Sequence, residues 1–188
     1  MLTTQAVSEP FEEPVTPVDI KLYQGIEGNG EFLDRDPVLA SRITSARQYI
    51  EDYCCFSLVE KDYITYAHGL ENIYLYSKVN SITSVEYRDS ANTWQPLGTS
   101  DYLLDDSTSE IVIINAPSVS TIKNISKIKI TYNAGYTSPQ YVPKVLKDAI
   151  VFIVVNWEQY QQSEDRQLST IRYAVKELIQ PYKRFEQK

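Results

Sequence analysis

The clearest hydrophobic pattern in the chain lies after Asp36-Pro37. Apolar side chains recur there at spacings of four and three residues, at Leu39, Ile43, Ala46, Ile50 and Tyr53. This period places them on one face of a helix. A shorter helix is predicted before it, where Thr16 can cap a helix that begins at Pro17, because threonine is favoured at the N-cap and proline at the first helical position.

Two further helices are predicted late in the chain. Pro143 suits a first helical position, and the residues that follow it are apolar nearly all round to about Gln161. A helix with that pattern is expected to be central, because every face of it seeks burial. A last helix is predicted from a cap at Ser169 or Thr170 to Pro181, which stops it.

Between the second and third helices the pattern changes from helical to alternating. Short runs rich in β-branched and aromatic residues are predicted to be strands, at 63–66, 73–76, 82–87, 111–114 and 125–132. In the last run Ile128 and Ile130 alternate with polar residues, which is typical of a strand with one buried and one solvated face. The sequence therefore predicts an α+β fold: a small helical core of about four helices, with an antiparallel β unit inserted between the second and third helices.

The length of 188 residues favours a single domain. Residues 1–15 contain two prolines, several acids and no apolar period, so we predict a flexible N-terminal arm that could order against a neighbour. The single domain is predicted to span residues 16–185, with a C-terminal tail at 182–188. Within this domain, residues 16–56 are predicted to be helical, residues 57–133 to form the β insertion and residues 143–181 to be helical.

The net charge of −7 is unevenly distributed along the chain. The first 40 residues carry eight acids and two bases, a net of −6, whereas residues 164–188 carry six bases and four acids, a net of +2. An acidic chain without a dense Lys/Arg face is a poor clamp for duplex DNA, because affinity for nucleic acid comes mainly from neutralised phosphates. The oppositely charged ends could help neighbouring copies find register, or they could be ordinary solvated surface.

Aromatic residues suggest protein contacts. The chain has 15 Tyr against five Phe and two Trp, and half-buried rings with accessible hydroxyls are typical of interfaces. Exposed tyrosines in a merely polar domain would give the same composition. The residues Tyr182, Lys183, Arg184 and Phe185 are basic and aromatic. We predict that they form a docking tail, with an unbound solvated end as the alternative.

The potentially nucleophilic residues do not form a catalytic pattern. Cys54 and Cys55 are adjacent, which is unsuitable spacing for a disulfide or a zinc site. Both are therefore predicted to be free thiols near the end of a helix, which favours a reducing compartment. His68 lies in a predicted turn, and no serine or cysteine near it in sequence suggests a nucleophile-base pair.

The acidic residues and glycines do not form a metal or phosphate motif either. The pairs Asp105-Asp106 and Glu12-Glu13 diverge in direction and lack the spacing of a calcium or zinc site. The glycines between residues 25 and 30 lack the strand-to-helix context of a dinucleotide loop. We therefore predict no catalytic, cofactor-binding or metal-binding residues, and a soluble protein that is not an enzyme.

The order of these motifs resembles the head-tail connector, or head-completion, proteins of long-tailed bacteriophages, in the subgroup whose helical core carries a β insertion. The run Ala46–Glu51 is similar to that family's second helix, where an Ala-Arg-x-Tyr-Ile/Val-Glu sequence is usual. The strongest similarity lies in Thr131–Tyr136, followed by Val142-Pro143. The resemblance covers roughly residues 14–185. It departs from the family pattern at Cys54–Phe56, where a glycine is usual, and in a longer glycine-rich loop before the second helix.

This resemblance implies a structural virion protein (an adaptor) without catalytic residues or cofactors. Copies would form a ring, typically of twelve, beneath the portal protein, extend the DNA channel and dock a stopper or tail-completion protein. Genomic DNA would pass through the lumen without sequence-specific binding, no membrane would be involved, and the ring would lie in the virion neck after assembly in the host cytoplasm. Two alternatives stay open: another ring-forming neck or tail-completion protein, and a small metal-dependent hydrolase that uses acidic residues.

Overall fold

The computed structural model describes residues 2–25, 35–71, 73–123, 125–159 and 166–183. These residues form four α-helices: α1 (Pro17–Tyr23), α2 (Asp36–Cys54), α3 (Lys144–Gln159) and α4 (Arg166–Ile179). The strands are β1 (Leu2–Ala6), β2 (Lys61–Ala67), β3 (Ile73–Tyr74), β4 (Val79–Arg88), β5 (Trp94–Pro96), β6 (Tyr102–Asp105), β7 (Glu110–Ile113) and β8 (Ile128–Ala134). All their pairings are antiparallel. The predicted α+β class is confirmed, and seven of these eight strands lie between the second and third helices, whereas β1 precedes α1.

Packing divides the chain into two compact units. The helical unit lies within Glu12–Val59 and Thr137–Phe185, and the β unit lies within Met1–Phe11 and Glu60–Tyr136. The chain therefore enters the β unit twice, first through β1 and again after α2.

The helix α3 is the central element of the helical unit. It contacts α1, α2 and α4, and both sides of it are buried, at Leu146, Ala149, Ile150, Val151 and Val154. This agrees with the prediction from its apolar pattern. An ion pair between Arg42 and Glu158 joins α2 to α3.

The ends of the helices follow local sequence signals. At the start of α1, Asp19 N donates to Thr16 Oγ1 (3.3 Å) while Thr16 N donates to Asp19 Oδ2 (2.7 Å), a capping box. The helix α2 ends at Cys55 in the left-handed conformation (φ 57°), the position that glycine usually takes at a helix end. The helix α4 begins at Arg166, before the predicted cap at Ser169 or Thr170, because Arg, Gln and Leu at 166–168 are themselves good helix formers.

Two sheets enclose the core of the β unit. The larger sheet has the strand order β1-β2-β8-β4-β5, and the smaller has the order β3-β7-β6. Apolar residues from both sheets share one buried cluster, which includes Tyr63, Ile111, Ile128, Ile130 and Tyr132. The alternation predicted for the last strand is confirmed, because Ile128 and Ile130 are fully buried while the residues between and after them are half-buried.

Three strands, β1, β5 and β6, were not indicated by the hydrophobic pattern. The first, β1, lies in the segment predicted as a flexible arm, and it pairs with β2 over five residues in the register Leu2↔Ala67 to Ala6↔Tyr63. The second, β5, has three residues and ends in a proline. All three are edge strands, with β6 at the edge of the smaller sheet. An edge strand pairs through main-chain hydrogen bonds on one side, so it does not require the alternating apolar residues by which the other strands were predicted.

Candidate functional site

Only the first half of the predicted docking tail lies within the described residues. Tyr182 ends a 3-10 turn at Gln180–Tyr182, and Lys183 follows it with an exposed side chain. The Lys183 ammonium lies 4.9 Å from the centre of the Tyr53 ring, at the C-terminal end of α2. Arg184 and Phe185 lie outside the described residues. The first residues of the tail are therefore held against the helical unit, which the sequence did not predict.

Tyr53 is the residue of α2 that holds this segment. Its hydroxyl donates to Gln180 Oε1 (2.8 Å), and its ring also faces the ammonium of Lys176 at 5.5 Å. A cation over an exposed aromatic ring contributes about 0.5–1 kcal/mol. Two such contacts and one hydrogen bond therefore fix the end of α4 and the start of the tail on α2.

Cys54 and Cys55 are both free thiols, as predicted, and the former is fully buried beside this contact. Cys54 Sγ lies 3.8 Å from the carbonyl oxygen of Ile179, to which its S–H donates weakly. Burial raises the pKa of the Cys54 thiol to about 11, and the neighbouring Cys55 adds to this while Lys183 opposes it. Since the thiolate is the nucleophilic form of cysteine, Cys54 is a packing residue and not a reactive one.

The acidic residues considered in the sequence make local structural contacts. The Asp105 carboxylate accepts hydrogen bonds from Ser107 N (2.9 Å) and Ser107 Oγ (2.6 Å), and these bonds lower the pKa of Asp105. Glu13 accepts a hydrogen bond from Thr44 Oγ1 at 2.8 Å. His68 is half-buried just after β2. Within the described ranges, no group of three or more His, Cys, Asp or Glu side chains is arranged to hold a metal ion.

A buried ionic network in the helical unit was not recognised from the sequence. Arg47 is fully buried on α2, and its Nε donates to Glu13 Oε2 (2.8 Å) while its Nη1 donates to Glu51 Oε2 (2.6 Å). The other oxygen of Glu51 accepts from Leu58 N at 2.8 Å. Burial by itself would lower the pKa of Arg47, but the attraction of Glu51 and Glu13 outweighs it and raises that pKa. The network joins the segment before α1, the helix α2 and the turn after it.

The smaller sheet of the β unit carries an exposed apolar stripe, which we define as Leu103, Val112 and Ile114. Leu103 and Val112 are cross-strand partners in the β6-β7 register, and Ile114 lies two residues further along on the same face. Their exposed fractions are 61%, 45% and 52%. Leu104, which follows Leu103, and Ile113, which lies between Val112 and Ile114, pack against the core instead. Since the inner face already supplies the core, the stripe is available for a partner.

The short helix α1 has a second exposed apolar surface. Val18 and Leu22 are one helical turn apart and both are exposed, as is Tyr23, whereas Ile20 is fully buried. An ion pair between Lys21 and Asp36 fixes α1 to the start of α2. Apolar side chains are therefore exposed on described residues of both units. The described part of the chain contains no helix that is long and apolar enough to cross a membrane.

The sequence matches no protein-family model and no curated protein. The fold, in contrast, is similar to those of solved structures. A chain in the neck of an empty gene transfer agent particle, computed with C6 symmetry, has a TM-score of 0.78, with coverage of 99% of this chain and 97% of that one at 15% identity.

Two further structures show the same similarity. A chain in the virion of the native gene transfer agent particle has a TM-score of 0.75 and 15% identity, with 98% of this chain and 97% of that chain covered. A chain in the neck of the native particle, computed with C12 symmetry, has a TM-score of 0.67 and 15% identity, with 99% and 97% covered. The likeness extends over nearly the whole length of both chains, so both units and their order along the sequence belong to one shared fold.

Proposed function

We propose that this chain is a structural virion assembly protein, a head-tail connector (adaptor) subunit that forms a ring under the portal. The observation that carries the proposal is the similarity in fold over 99% of this chain and 97% of a chain in a gene transfer agent neck. In this role the ring extends the DNA channel and docks the next neck or tail protein. The chain acts as one connector subunit, is not an enzyme, and lies in the virion neck after assembly in the host cytoplasm.

A ring of identical copies is supported by two features. The similar chains come from necks computed with C6 and C12 symmetry, and twelve copies are compatible with both. A ring also needs two different surfaces on each copy, because its contacts are head-to-tail. The proposed surfaces are the stripe on β6 and β7 and the face of α1 with Val18 and Leu22, whose apolar side chains are exposed.

The tail at Tyr182, Lys183, Arg184 and Phe185 is proposed to dock on the portal. Lys183 remains exposed although its ammonium lies over the Tyr53 ring, so an acidic surface can approach it. The contacts of Gln180 and Lys176 with the same tyrosine fix the point from which the tail leaves. A fixed origin reduces the entropy that docking costs.

The lumen of the ring is proposed to be acidic, so that DNA passes without being held. The net charge of −7 supports this, because like charges repel phosphates whereas clustered Lys and Arg bind them. A map of the assembled ring should show carboxylates in excess over Lys and Arg on the channel wall. A channel wall rich in Lys and Arg would contradict this part of the proposal.

Electron microscopy of the purified protein, alone and mixed with purified portal protein, tests the function. We expect closed rings on the portal in the absence of any tail protein, and co-purification of the two proteins. Binding to tail components but not to portal would instead identify a tail-completion protein. A chain that stays monomeric with portal present would reject the connector role.

A further inference from the structure

The strand β1 is attached to the β unit mainly through its backbone, with one side-chain hydrogen bond between the hydroxyls of Thr4 and Thr65. Four of its five residues, Thr3 to Ala6, are exposed, and only Leu2 packs against the core cluster. Main-chain hydrogen bonds with β2 continue beyond the strand, where Val7 N donates to the carbonyl oxygen of Asp62 at 2.8 Å. Because this attachment depends little on side chains, the β2 edge of any other copy offers β1 the same partners.

The segment between β1 and the helical unit can extend. Pairing with β2 ends at Ser8, whose hydroxyl accepts from Asp62 N (2.9 Å), and Glu13 is held in the helical unit by Arg47. The described structure contains no helix or strand between these two points. Pro10 restricts itself and the residue before it to extended backbone. Five residues of extended chain span about 17 Å, a large fraction of the diameter of a small domain.

The chain's own fold also leaves two apolar side chains of this part of the chain in water. The Phe11 side chain is 97% exposed, and Val7 is exposed as well. Both lie in or beside the connecting segment. Pairing within one copy and pairing between copies form the same main-chain hydrogen bonds. Burial of these two side chains against a neighbouring copy would therefore favour pairing between copies.

We infer that β1 is an exchanged strand: in the assembled ring it leaves its own β2 and pairs with β2 of the neighbouring copy. The inference rests on the proposed function, because a closed ring is what allows every copy to give one strand and receive one. The exchange would link the subunits by main-chain hydrogen bonds around the whole ring, with no β2 edge left open.

A disulfide placed between β1 and β2 reports which copy the strand belongs to. Thr4 and Thr65 are direct partners, with hydroxyl oxygens 2.7 Å apart. Val7 and Asp62 are joined by a main-chain hydrogen bond, and hydrogen-bonded and non-hydrogen-bonded pairs alternate along an antiparallel ladder. Thr4 and Thr65, three pairs further along, therefore form a non-hydrogen-bonded pair. The Cα separation of such a pair, about 4.5 Å, permits a disulfide. The variant is Thr4→Cys/Thr65→Cys in a chain that also carries Cys54→Ala and Cys55→Gly, so that no other thiol can react.

Rings of this variant are oxidised, denatured and separated by electrophoresis without reductant. We expect a ladder of covalent multimers that extends to the closed ring. A single-chain band without free thiols would overturn the inference. Because Thr65 is buried, Gln5→Cys/Ile64→Cys on the other face of the same strand pair serves as the second variant. The matched control is Ser84→Cys/Thr131→Cys on the inner strands β4 and β8, which should give single chains only.

The outcomes separate the inference from the function on which it rests. Rings seen by microscopy that yield only single-chain bands reject strand exchange and leave the connector role intact. A covalent ladder from open chains, without closed rings, supports exchange and rejects the ring. Single chains without rings reject both.

Discussion

Arg47 is a fully buried charged residue whose guanidinium joins three parts of the helical unit. Its bonds to Glu13 and Glu51 compensate for the loss of hydration of all three charges. A buried ion pair of this kind adds little net stability over an apolar replacement of the whole network, but removal of one partner leaves the others uncompensated. The network therefore fixes the segment before α1, and removal of any one of its members should lower the free energy of unfolding.

We predict that Arg47→Met lowers the free energy of unfolding by about 3–5 kcal/mol, because two carboxylates are left without their cation. Urea unfolding followed by circular dichroism measures it. The control is Lys144→Met, which removes the ion pair between Lys144 and Asp148, two exposed side chains. This substitution should lower the free energy of unfolding by less than about 1 kcal/mol. Equal effects of the two substitutions would show that the network is not a structural anchor.

Cys54 gives a prediction about reactivity and pH. Its folded pKa of about 11 lies above its ordinary value of 9.0, so the native state favours the protonated thiol. The corresponding stability is present below the ordinary value and is lost as the pH rises through the folded value. At about pH 8, iodoacetamide should therefore leave Cys54 unlabelled in the native protein and label it in urea, as mass spectrometry can show. Labelling of native Cys54 at the denatured rate would contradict its burial.

At the scale of elements, the end of α4 is held by burial and the tail by weaker contacts. Val175 and Ile179 are buried, whereas Lys183 contributes one cation over the Tyr53 ring. The helix and the tail should therefore respond differently to truncation. The helix belongs to the fold, and the tail is proposed to belong to the interface.

Truncation after Gln180 should leave a folded protein with a free energy of unfolding lowered by about 0.5–1 kcal/mol, the value of one exposed cation-aromatic contact. Binding to portal should be weakened in the same variant. Calorimetry for stability and co-sedimentation for binding separate the two effects. If the truncated chain bound portal as tightly as the full chain, the docking role of the tail would be wrong.

At the scale of the whole molecule, the exposed stripe on β6 and β7 is proposed to contact a second copy. Val112→Lys places a charge in the middle of the stripe, and it should leave the stability of the monomer within about 0.5 kcal/mol because the position is exposed. Ring yield should fall about tenfold or more, the result of about 1.4 kcal/mol lost at each contact. Quantitative size-exclusion chromatography with light scattering measures it.

The control for the stripe is Thr99→Lys, which adds the same charge to an exposed turn of the same unit. This variant should assemble like the unmodified chain. Equal loss of rings in both variants would mean that net charge, and not the stripe, controls assembly.

The elements that the sequence predicted best are those whose burial is periodic. On α2 the residues Leu39, Ile43, Ala46 and Ile50 are all buried, as their spacing predicted. On β8 the alternation of Ile128 and Ile130 is likewise that of a buried face. Periodic burial is encoded locally, so a single sequence can reveal it. The strands that were missed, β1, β5 and β6, are edge strands whose side chains are exposed or half-buried.

The candidate site was less accessible to prediction. The four tail residues were selected from their composition, and their docking role stays a prediction. The contact of Lys183 with Tyr53 could not be predicted, because it joins residues 130 positions apart in the sequence. The partners Glu13 and Arg47 are 34 positions apart. The exposed stripe was missed because Leu103 and Val112 lie in short strands that only a register can place side by side.

The sequence by itself determined the class of fold, the order of the helices, the strands with a buried apolar face and the central position of α3, because each depends on the local period of apolar residues. Only the tertiary structure decided which charges are buried together, which apolar residues remain on the surface, and that the N-terminal segment pairs with β2. These features depend on distances between residues remote in the sequence and on main-chain hydrogen bonds, and neither leaves a pattern in a single chain.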